Sequence, residues 1–353
     1  MKIKEYIFKK AAHKHIPVSG TFELTPRCNL SCEMCYIRMS PEEESAVGAE
    51  LSTDEWLSIG RQAVDLGMIY LLLTGGEPLL RRDFSEIYTR MAEMGVVISV
   101  NTNGTLVNDE IIRCCTEYKP ERVNVTLYGA SSETYGKVCK HQSGYEAAVR
   151  GIEMLHSADI PVCINTTMTH HNSADIEKMI AYAKSRNIPI RMTSYIFPPI
   201  RCTRENDTRS FLLPEEYGRL SAFFDSETLD TEQLNRRKEL LKSIESRDNQ
   251  SVEQAQGRAS SCIAGRGAFW ITWDGRVLPC GMLPKLGMAL NDFSFSEIWG
   301  RFGTVMNDQK LPSGCSQCPR KAICPVCVAV TQSSDKTPDE LCRFTESYLK
   351  CLM

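Results

Sequence analysis

The sequence predicts an α/β protein: a partial (β/α)6 barrel followed by a small cysteine-rich C-terminal domain. Three observations predict this fold. Apolar, β-branched runs alternate with amphipathic stretches between residues 21 and 193, and a polar, helix-like stretch follows at 203–260. Seven of the sixteen cysteines then fall between residues 262 and 342. We therefore assign residues 1–202 to the barrel, 203–260 to a polar helical linker and 261–353 to the C-terminal domain.

The predicted strands are the apolar runs Thr21–Thr25, Ile69–Thr74, Val96–Asn101, Arg122–Leu127, Val162–Thr167 and Ile188–Thr193. The predicted helices between them are 53–66, 84–94, 108–118, 144–158 and 174–186. Ser52 and Glu55 form a capping box for the first helix, and Asn172 or Ser173 can cap the last. This alternation indicates a parallel sheet. Six units are too few for a closed eight-stranded barrel, and we expect the chemistry at the C-terminal ends of the strands.

Composition narrows the class of protein. Hydrophobic residues make up 42% of the chain, as expected for a globular core, and the net charge is −3 with no basic stripe for nucleic acid. No apolar run reaches the ~18 residues that cross a bilayer, and the N-terminus lacks a signal-peptide pattern. We therefore expect a cytoplasmic protein without nucleic-acid or membrane partners. Thiols stay reduced in that compartment, so metal binding explains the many cysteines better than disulfides do.

Cys28, Cys32 and Cys35 form a C-x3-C-x2-C loop directly after the first predicted strand. Three thiolates cannot fill a four-coordinate zinc site, but they suit a four-iron cluster that keeps one iron without a protein ligand. Such an iron can bind a small molecule that has both an amine and a carboxylate. The alternative is a structural zinc loop whose fourth ligand lies elsewhere in the chain.

Glycine- and asparagine-containing loops follow the next three strands: Gly75-Gly76-Glu77-Pro78, Asn101-Thr102-Asn103-Gly104 and Thr126-Leu127-Tyr128-Gly129. Together with CNLSCEMC, these loops resemble the radical S-adenosylmethionine (radical SAM) superfamily. The resemblance implies that the three cysteines hold a [4Fe–4S] cluster and that the Gly75–Pro78 loop holds the methionine amine. Glu77 is acidic, which suits an ammonium partner. The residues that the resemblance assigns to cofactor binding are Met34, Tyr36, Gly75, Gly76, Glu77, Pro78, Asn101, Asn103 and Thr126.

The resemblance also implies the reaction. S-adenosylmethionine would be cleaved reductively to methionine and a 5′-deoxyadenosyl radical, which would abstract a hydrogen atom from the substrate. We expect an oxidoreductase that matures a ribosomally synthesised peptide (a RiPP) by forming a thioether or carbon–carbon crosslink. The alternative is a dehydrogenase or epimerase that acts on a protein side chain or a small molecule. A redox sensor without turnover would not need the methionine-binding loop.

The C-terminal cysteines read C-x12-G-x4-C from Cys262 to Cys280, then C-x2-C-x5-C-x2-C, then Cys342. This pattern resembles a SPASM extension, which implies two auxiliary [4Fe–4S] clusters and three clusters in all. By the resemblance, the first auxiliary cluster is bound by Cys262, Cys280 and Cys327. The second is bound by Cys315, Cys318, Cys324 and Cys342. Only two residues precede Cys327 where the family usually has three, so that cysteine could instead join the second cluster.

The sequence leaves two alternatives open for the C-terminal cysteines and also suggests two protein partners. The fourth iron of the first auxiliary cluster is either open to substrate or bound by Cys202. A zinc ribbon built from Cys315, Cys318, Cys324 and Cys327 would leave the other three cysteines unexplained. The expected partners are a separate peptide-binding protein and an electron donor of the flavodoxin or ferredoxin type.

Cys139 is a candidate catalytic residue on the segment that leaves the fourth strand. It lies among Lys137, Lys140 and His141, cations that would lower the pKa of its thiol. The hypothesis is that Cys139 returns a hydrogen atom to the substrate radical, which would make the enzyme an epimerase. The simpler alternative is a buried cysteine on a helix face.

Overall fold

The computed structural model describes residues 3–193, 196–202, 210–245, 262–333 and 338–353. Its strands are β1 (Ser19–Glu23), β2 (Tyr70–Thr74), β3 (Val97–Thr102), β4 (Arg122–Thr126), β5 (Val162–Thr166), β6 (Ile190–Met192), β7 (Ala268–Ile271), β8 (Arg276–Leu278) and β9 (Met288–Ala289). Its helices are α1 (Ile3–Lys14), α2 (Pro41–Val47), α3 (Thr53–Asp65), α4 (Phe84–Glu93), α5 (Asp109–Glu117), α6 (Ser132–Val138), α7 (Gly144–Ser157), α8 (Ile176–Ser185), α9 (Pro214–Thr228), α10 (Thr231–Glu245), α11 (Phe295–Asn307), α12 (Ser313–Ser316), α13 (Val328–Ser333) and α14 (Pro338–Leu352).

The predicted parallel sheet is confirmed. Strands β1 to β6 pair in chain order and all in parallel, with Leu73 of β2 between Phe22 of β1 and Val100 of β3. All three side chains are buried, as expected for strands covered on both faces. Among the described residues the sheet keeps two free edges, so the barrel is partial. Because the strands are parallel, the loops that follow them meet at one edge.

The five predicted helices are present, and their apolar faces cover the sheet. Ser52 accepts a hydrogen bond from the Glu55 amide, and Glu55 accepts one from the Ser52 amide, so the predicted capping box starts α3. The predicted cap of α8 is wrong. The side-chain Nδ2 of Asn172 instead donates to the carbonyls of Tyr128 and Thr167, both at 2.9 Å, and thereby joins the loops after β4 and β5.

Strand β7 extends the same sheet beyond β1, which the sequence analysis did not predict. It pairs in parallel with β1, Phe22 opposite Ile271, and β8 and β9 follow in antiparallel order. The indole of Trp270 donates to Glu23 at 2.8 Å across this pair. The start of the C-terminal region therefore shares one sheet with the barrel.

Helices α9 and α10 confirm the helical prediction for part of the linker; residues 203–209 and 246–261 lie outside the described residues. Helix α9 packs closely against α14, because Gly218 has no side chain: a Cβ there would lie 2.4 Å from the Phe344 carbonyl oxygen. None of the helices in the described part of the chain is long and apolar enough to cross a membrane.

Candidate active site

A cavity of about 350 Å³ opens at the C-terminal ends of the parallel strands. This is the edge at which the sequence predicts chemistry. The predicted residues that line it are Cys28, Cys32, Met34, Cys35, Tyr36, Gly75, Gly76, Asn101, Asn103 and Thr126. Glu77 and Pro78 are the predicted residues of this site that do not line the cavity.

The three cysteines of the first loop share one wall of the cavity. The Leu30 amide lies 3.4 Å from the Cys28 sulphur and the Arg38 amide 3.3 Å from the Cys35 sulphur. Burial is the main cause that raises the pKa of the Cys28 thiol above its usual value. Metal coordination removes such protons outright, and amide hydrogen bonds to cluster sulphurs are a known means of tuning them. The loop therefore suits an iron–sulphur cluster.

Backbone contacts hold the glycine loop beside the cysteine loop. The Gly76 amide donates to the Thr25 carbonyl and the Glu77 amide to the Arg27 carbonyl, both at 2.7 Å. A Cβ on Gly76 would lie 2.3 Å from the Arg27 carbonyl oxygen. Only glycine permits this approach, which leaves the backbone of residues 75 and 76 facing the cavity.

Glu77 is fully buried and joins the loops after β2 and β3. Its carboxylate accepts hydrogen bonds from the Thr102 hydroxyl at 2.8 Å and the Asn103 amide at 2.7 Å, and from the Leu79 amide at 3.0 Å. Burial raises the pKa of Glu77 to about 7, against the opposing effect of these donors. In this arrangement the side chain clamps the two loops together rather than reaching into the cavity, and Pro78 starts the short turn behind it.

Replacing Glu77 with glutamine is expected to lower the free energy of unfolding by about 1.5–3 kcal/mol and to weaken S-adenosylmethionine binding. The side-chain nitrogen of the glutamine would face backbone and hydroxyl donors that now bind a carboxylate, and a donor cannot accept their hydrogen bonds. The two loops would therefore lose contacts that hold them together. Urea denaturation of the apoprotein and calorimetric titration measure the two effects. The control is Glu86→Gln on the exposed face of α4. Equal urea midpoints for both variants would contradict the clamp.

The predicted asparagine loop after β3, residues 101–104, also supports the cysteine loop. The Asn103 side chain donates to Asn29 at 2.8 Å and lies 3.8 Å from the Cys28 sulphur. Its carbonyl accepts from Thr105. Asn101 accepts a hydrogen bond from Asn124 at 2.8 Å. These contacts fix the position of Cys28 relative to β3.

Several lining residues were missed by the sequence analysis: Asn165, Thr167, Thr193, Ile196, Phe197 and Met282. Asn165 and Thr167 lie at the end of β5, a position that could have been read from the sequence as the earlier strand ends were. Met282 could not, because it lies two residues after Cys280 in the C-terminal region. The cavity thus extends from the first cysteine loop to the loop that carries Cys280.

The structure places Cys139 behind the cysteine loop and not on the cavity wall. Its side chain is fully buried, and its sulphur is hydrogen-bonded to Cys32, which also interacts with the Tyr128 hydroxyl. The hydrogen bond with Cys139, together with burial, raises the pKa of the Cys32 thiol. A hydrogen donor has to reach the substrate, and Cys139 does not face the cavity, so the geometry favours the alternative of a buried cysteine.

The seven C-terminal cysteines separate into two groups by their mutual electrostatic effects. Burial, with the Cys262 and Cys327 thiols adding to its effect, raises the pKa of Cys280 to about 11. Burial likewise raises the pKa of Cys342, with Cys318 and Cys315 adding to the effect, and that of Cys324 beside Cys342 and Cys318. Cys327 thus lies with the first group, and the second contains Cys315, Cys318, Cys324 and Cys342.

No three His, Cys, Asp or Glu side chains in the described part of the chain converge as the ligands of one metal ion would. Thiols of a four-iron cluster bind different irons and therefore lie farther apart than the ligands of a single ion. The donor set of each group is made of thiols, the ligands that such clusters take. The residues present therefore fit iron–sulphur clusters.

Comparisons with known proteins identify two family models and several similar proteins. The family model described as the radical SAM superfamily matches residues 22–183, and the SPASM iron–sulfur cluster-binding domain matches 262–319. The chain is 29% identical to an AdoMet-dependent heme synthase of Methanosarcina barkeri over 323 residues, 87% of this chain and 90% of that protein. It is 25% identical to a PqqA peptide cyclase of Rhizobium meliloti over 87% of this chain and 80% of that protein.

Among solved structures, the fold matches that of Streptococcus suis SuiB bound to the precursor peptide SuiA. The TM-score is 0.68 at 16% identity, and the match covers 94% of this chain and 77% of that one. At this identity the likeness concerns the fold alone.

Proposed function

The chain belongs to the radical SAM superfamily and carries a SPASM domain, and on this premise we propose that it matures a ribosomally synthesised peptide by forming a thioether or carbon–carbon crosslink. The observation that carries the proposal is the extent of the cavity, which runs from Cys28, Cys32 and Cys35 to Met282 beside the first auxiliary group. A substrate in this cavity would lie between two iron–sulphur sites, as an oxidative crosslinking reaction requires.

The enzyme uses S-adenosylmethionine and iron–sulphur clusters. We propose three clusters, with Cys28, Cys32 and Cys35 binding the first and the two C-terminal groups binding the others. When bound, the reduced cluster and S-adenosylmethionine supply an organic radical that removes a hydrogen atom from the substrate. The backbone of Gly75 and Gly76 would face the cofactor's amine, beside the Met34 and Tyr36 side chains.

Other lining residues would protect the reaction from water. Ile37, Ile196, Phe197 and Met282 present apolar side chains to the cavity, so a bound substrate would exclude solvent from the reacting atoms. Asn101, Asn165 and Thr167 supply polar groups that can orient a substrate or cofactor.

A second cavity of about 230 Å³ supports an extended substrate. It shares Met282 with the first and is lined by apolar residues that include Pro198, Pro199, Leu283 and Leu286. A chain that enters the first cavity can therefore continue along an apolar surface. The name of one relative agrees with a peptide substrate: PqqA peptide cyclase.

A dehydrogenase or epimerase that acts on a protein side chain or a small molecule is the second candidate. The relative at 29% identity favours it, because that protein is named for heme rather than for a peptide. We further propose a flavodoxin- or ferredoxin-type electron donor, a separate peptide-binding partner and a cytoplasmic location. The boundaries 1–202, 203–260 and 261–353 remain our proposed division of the chain.

Incubation with the peptides encoded by short reading frames next to the gene tests the proposal. Mass spectrometry should show the loss of two hydrogen atoms for each crosslink, with fragment ions that fail to separate between the joined residues. Cys28→Ala/Cys32→Ala/Cys35→Ala protein is the inactive control. A product whose mass is unchanged in ordinary water but which gains one deuterium in deuterated water would instead identify an epimerase. Loss of two hydrogen atoms without a crosslink would identify a dehydrogenase.

A further inference from the structure

A separate cavity lies between helices α9, α10 and α14, and we call it the α9 cavity. Its volume is about 360 Å³, within the range of roughly 300–1,000 Å³ that is typical of small-molecule sites. Phe224 of α9, Phe344 of α14 and Met192 at the end of β6 give it apolar walls, and Ile323 adds to them from the loop before Cys324. The cavity therefore suits a ligand with an apolar body.

The α9 cavity is distinct from the candidate active site. Met192 lines the α9 cavity and the next residue, Thr193, lines the active-site cavity, so the end of β6 separates the two. No residue in the described part of the chain lines both. Of the four cysteines in the second C-terminal group, Cys324 alone lines the α9 cavity, so this space is not enclosed by the thiols that would hold a cluster.

The charged groups of the α9 cavity compensate one another. The Asp225 carboxylate accepts a hydrogen bond from the Arg237 guanidinium at 3.2 Å and one from the Tyr348 hydroxyl at 2.5 Å. All three residues line the cavity. A charged ligand would lose its hydration without meeting an uncompensated opposite charge, so these contacts favour an uncharged ligand.

Two polar atoms at the same cavity have no hydrogen-bond partner among the described residues. Ser221 is only 9% exposed and lines the cavity, and its Oγ is one of these atoms. The other is the buried Nε of Arg237. Buried polar groups are nearly always hydrogen-bonded, so this pair points to a group that the cavity is built to receive.

The hydrogen-bonding capacity of these two atoms indicates the ligand's polar group. The Arg237 Nε–H only donates, whereas the Ser221 hydroxyl both donates and accepts, and it reorients by rotation about one bond. An amide offers the complementary pair, because its carbonyl accepts and its N–H donates. It also carries no charge, which agrees with the compensated Asp225 and Arg237.

We propose that the α9 cavity binds a small uncharged ligand with an apolar body and one amide group. Met192, Phe224 and Phe344 would contact the body, and Ser221 and Arg237 would bind the amide. A free apolar amide and an apolar residue of a peptide share this chemistry. The proposal does not rest on the proposed function, because it needs neither a cluster nor a peptide crosslink.

Calorimetric titration of the anaerobically reconstituted full-length protein with N-acetyl-L-phenylalaninamide tests the proposal. For a probe of this size we expect a Kd on the order of 0.1–1 mM. Ser221→Ala should raise the Kd about fivefold, because it removes one hydrogen bond. Ser221→Met should abolish binding, because the longer side chain fills the cavity. The carboxylate 3-phenylpropionate should bind about fivefold more weakly than the amide, because its charge finds no free partner.

Ser226→Ala and Ser226→Met are the matched controls. Ser226 is exposed on the same helix and donates to the Phe223 carbonyl at 2.7 Å, so both variants should bind the amide with wild-type affinity. The blocked tripeptide N-acetyl-Ala-Phe-Ala-amide distinguishes the two sources of ligand. Equal affinity for both probes would assign the cavity to a residue of a peptide, and binding of the single blocked residue alone would assign it to a free amide.

Three results would overturn the proposal. Wild-type protein would show no saturable binding of the amide up to about 10 mM. Ser221→Met protein would bind the amide as tightly as the wild type does, which would place the probe elsewhere. Ser221→Ala protein would show an unchanged Kd, and this result alone decides the matter if Ser221→Met protein fails to fold.

Discussion

Replacing Cys28, Cys32 and Cys35 together with alanine will remove about four of about twelve iron atoms and abolish S-adenosylmethionine cleavage. These three thiols line the same cavity as the glycine loop that would hold S-adenosylmethionine. Their loss would remove the cluster that we propose as the electron donor to S-adenosylmethionine. Iron is measured after anaerobic reconstitution, and cleavage is measured as 5′-deoxyadenosine released in the presence of a reductant.

The matched control replaces three cysteines outside the proposed groups, Cys114, Cys163 and Cys351. It should keep about twelve iron atoms and wild-type cleavage. Release of 5′-deoxyadenosine by the Cys28/Cys32/Cys35 variant would show that the assignment of this loop is wrong.

The second large effect is expected in the C-terminal region. Alanine at Cys262, Cys280 and Cys327 should remove about four iron atoms, and alanine at Cys315, Cys318, Cys324 and Cys342 another four. The thiols that affect the pKa of Cys280 and of Cys342 belong to the same group as the cysteine they affect. Because the two groups are separate sites, the losses of iron should be additive. Elemental analysis for iron and zinc in the two variants and in their combination measures this.

Cys327 decides between this arrangement and a zinc ribbon. Burial raises the pKa of Cys327 and the Cys262 thiol raises it further, which supports a place in the first group. Cys327→Ala should therefore weaken only the cluster of Cys262 and Cys280. One stoichiometric zinc that is lost in Cys327→Ala and in Cys315→Ala protein alike, with iron near four atoms, would support the ribbon instead.

The barrel could be predicted because its signals are local. Each parallel strand is an apolar run such as Ile69–Thr74, and the start of α3 carries its own cap in Ser52 and Glu55. The cavity followed from the same rule, since polar and glycine residues placed directly after strands must meet at one edge of a parallel sheet. Ten of the twelve residues predicted for the cofactor and cluster at this site line the cavity, and that rule with the family resemblance was enough to find them. Glu77 and Pro78, which do not line it, show the limit of the rule.

The remainder depends on contacts between distant parts of the chain. Strand β7 is only four residues long, and nothing in its sequence indicates that it pairs with β1. Glu77 is acidic and next to the cofactor loop, yet its partners Thr102 and Asn103 turn it away from the cavity. The burial of Cys139 against Cys32 likewise follows from how α6 packs on the cysteine loop, which spacing along the chain does not reveal.

The most direct test of the central claim is the release of 5′-deoxyadenosine by wild-type protein. Anaerobically reconstituted enzyme is incubated with S-adenosylmethionine and a strong reductant, and the products are separated by chromatography. The account predicts 5′-deoxyadenosine and methionine in equal amounts, in excess over the enzyme. Protein that holds its full iron content and binds S-adenosylmethionine but releases no 5′-deoxyadenosine would contradict it.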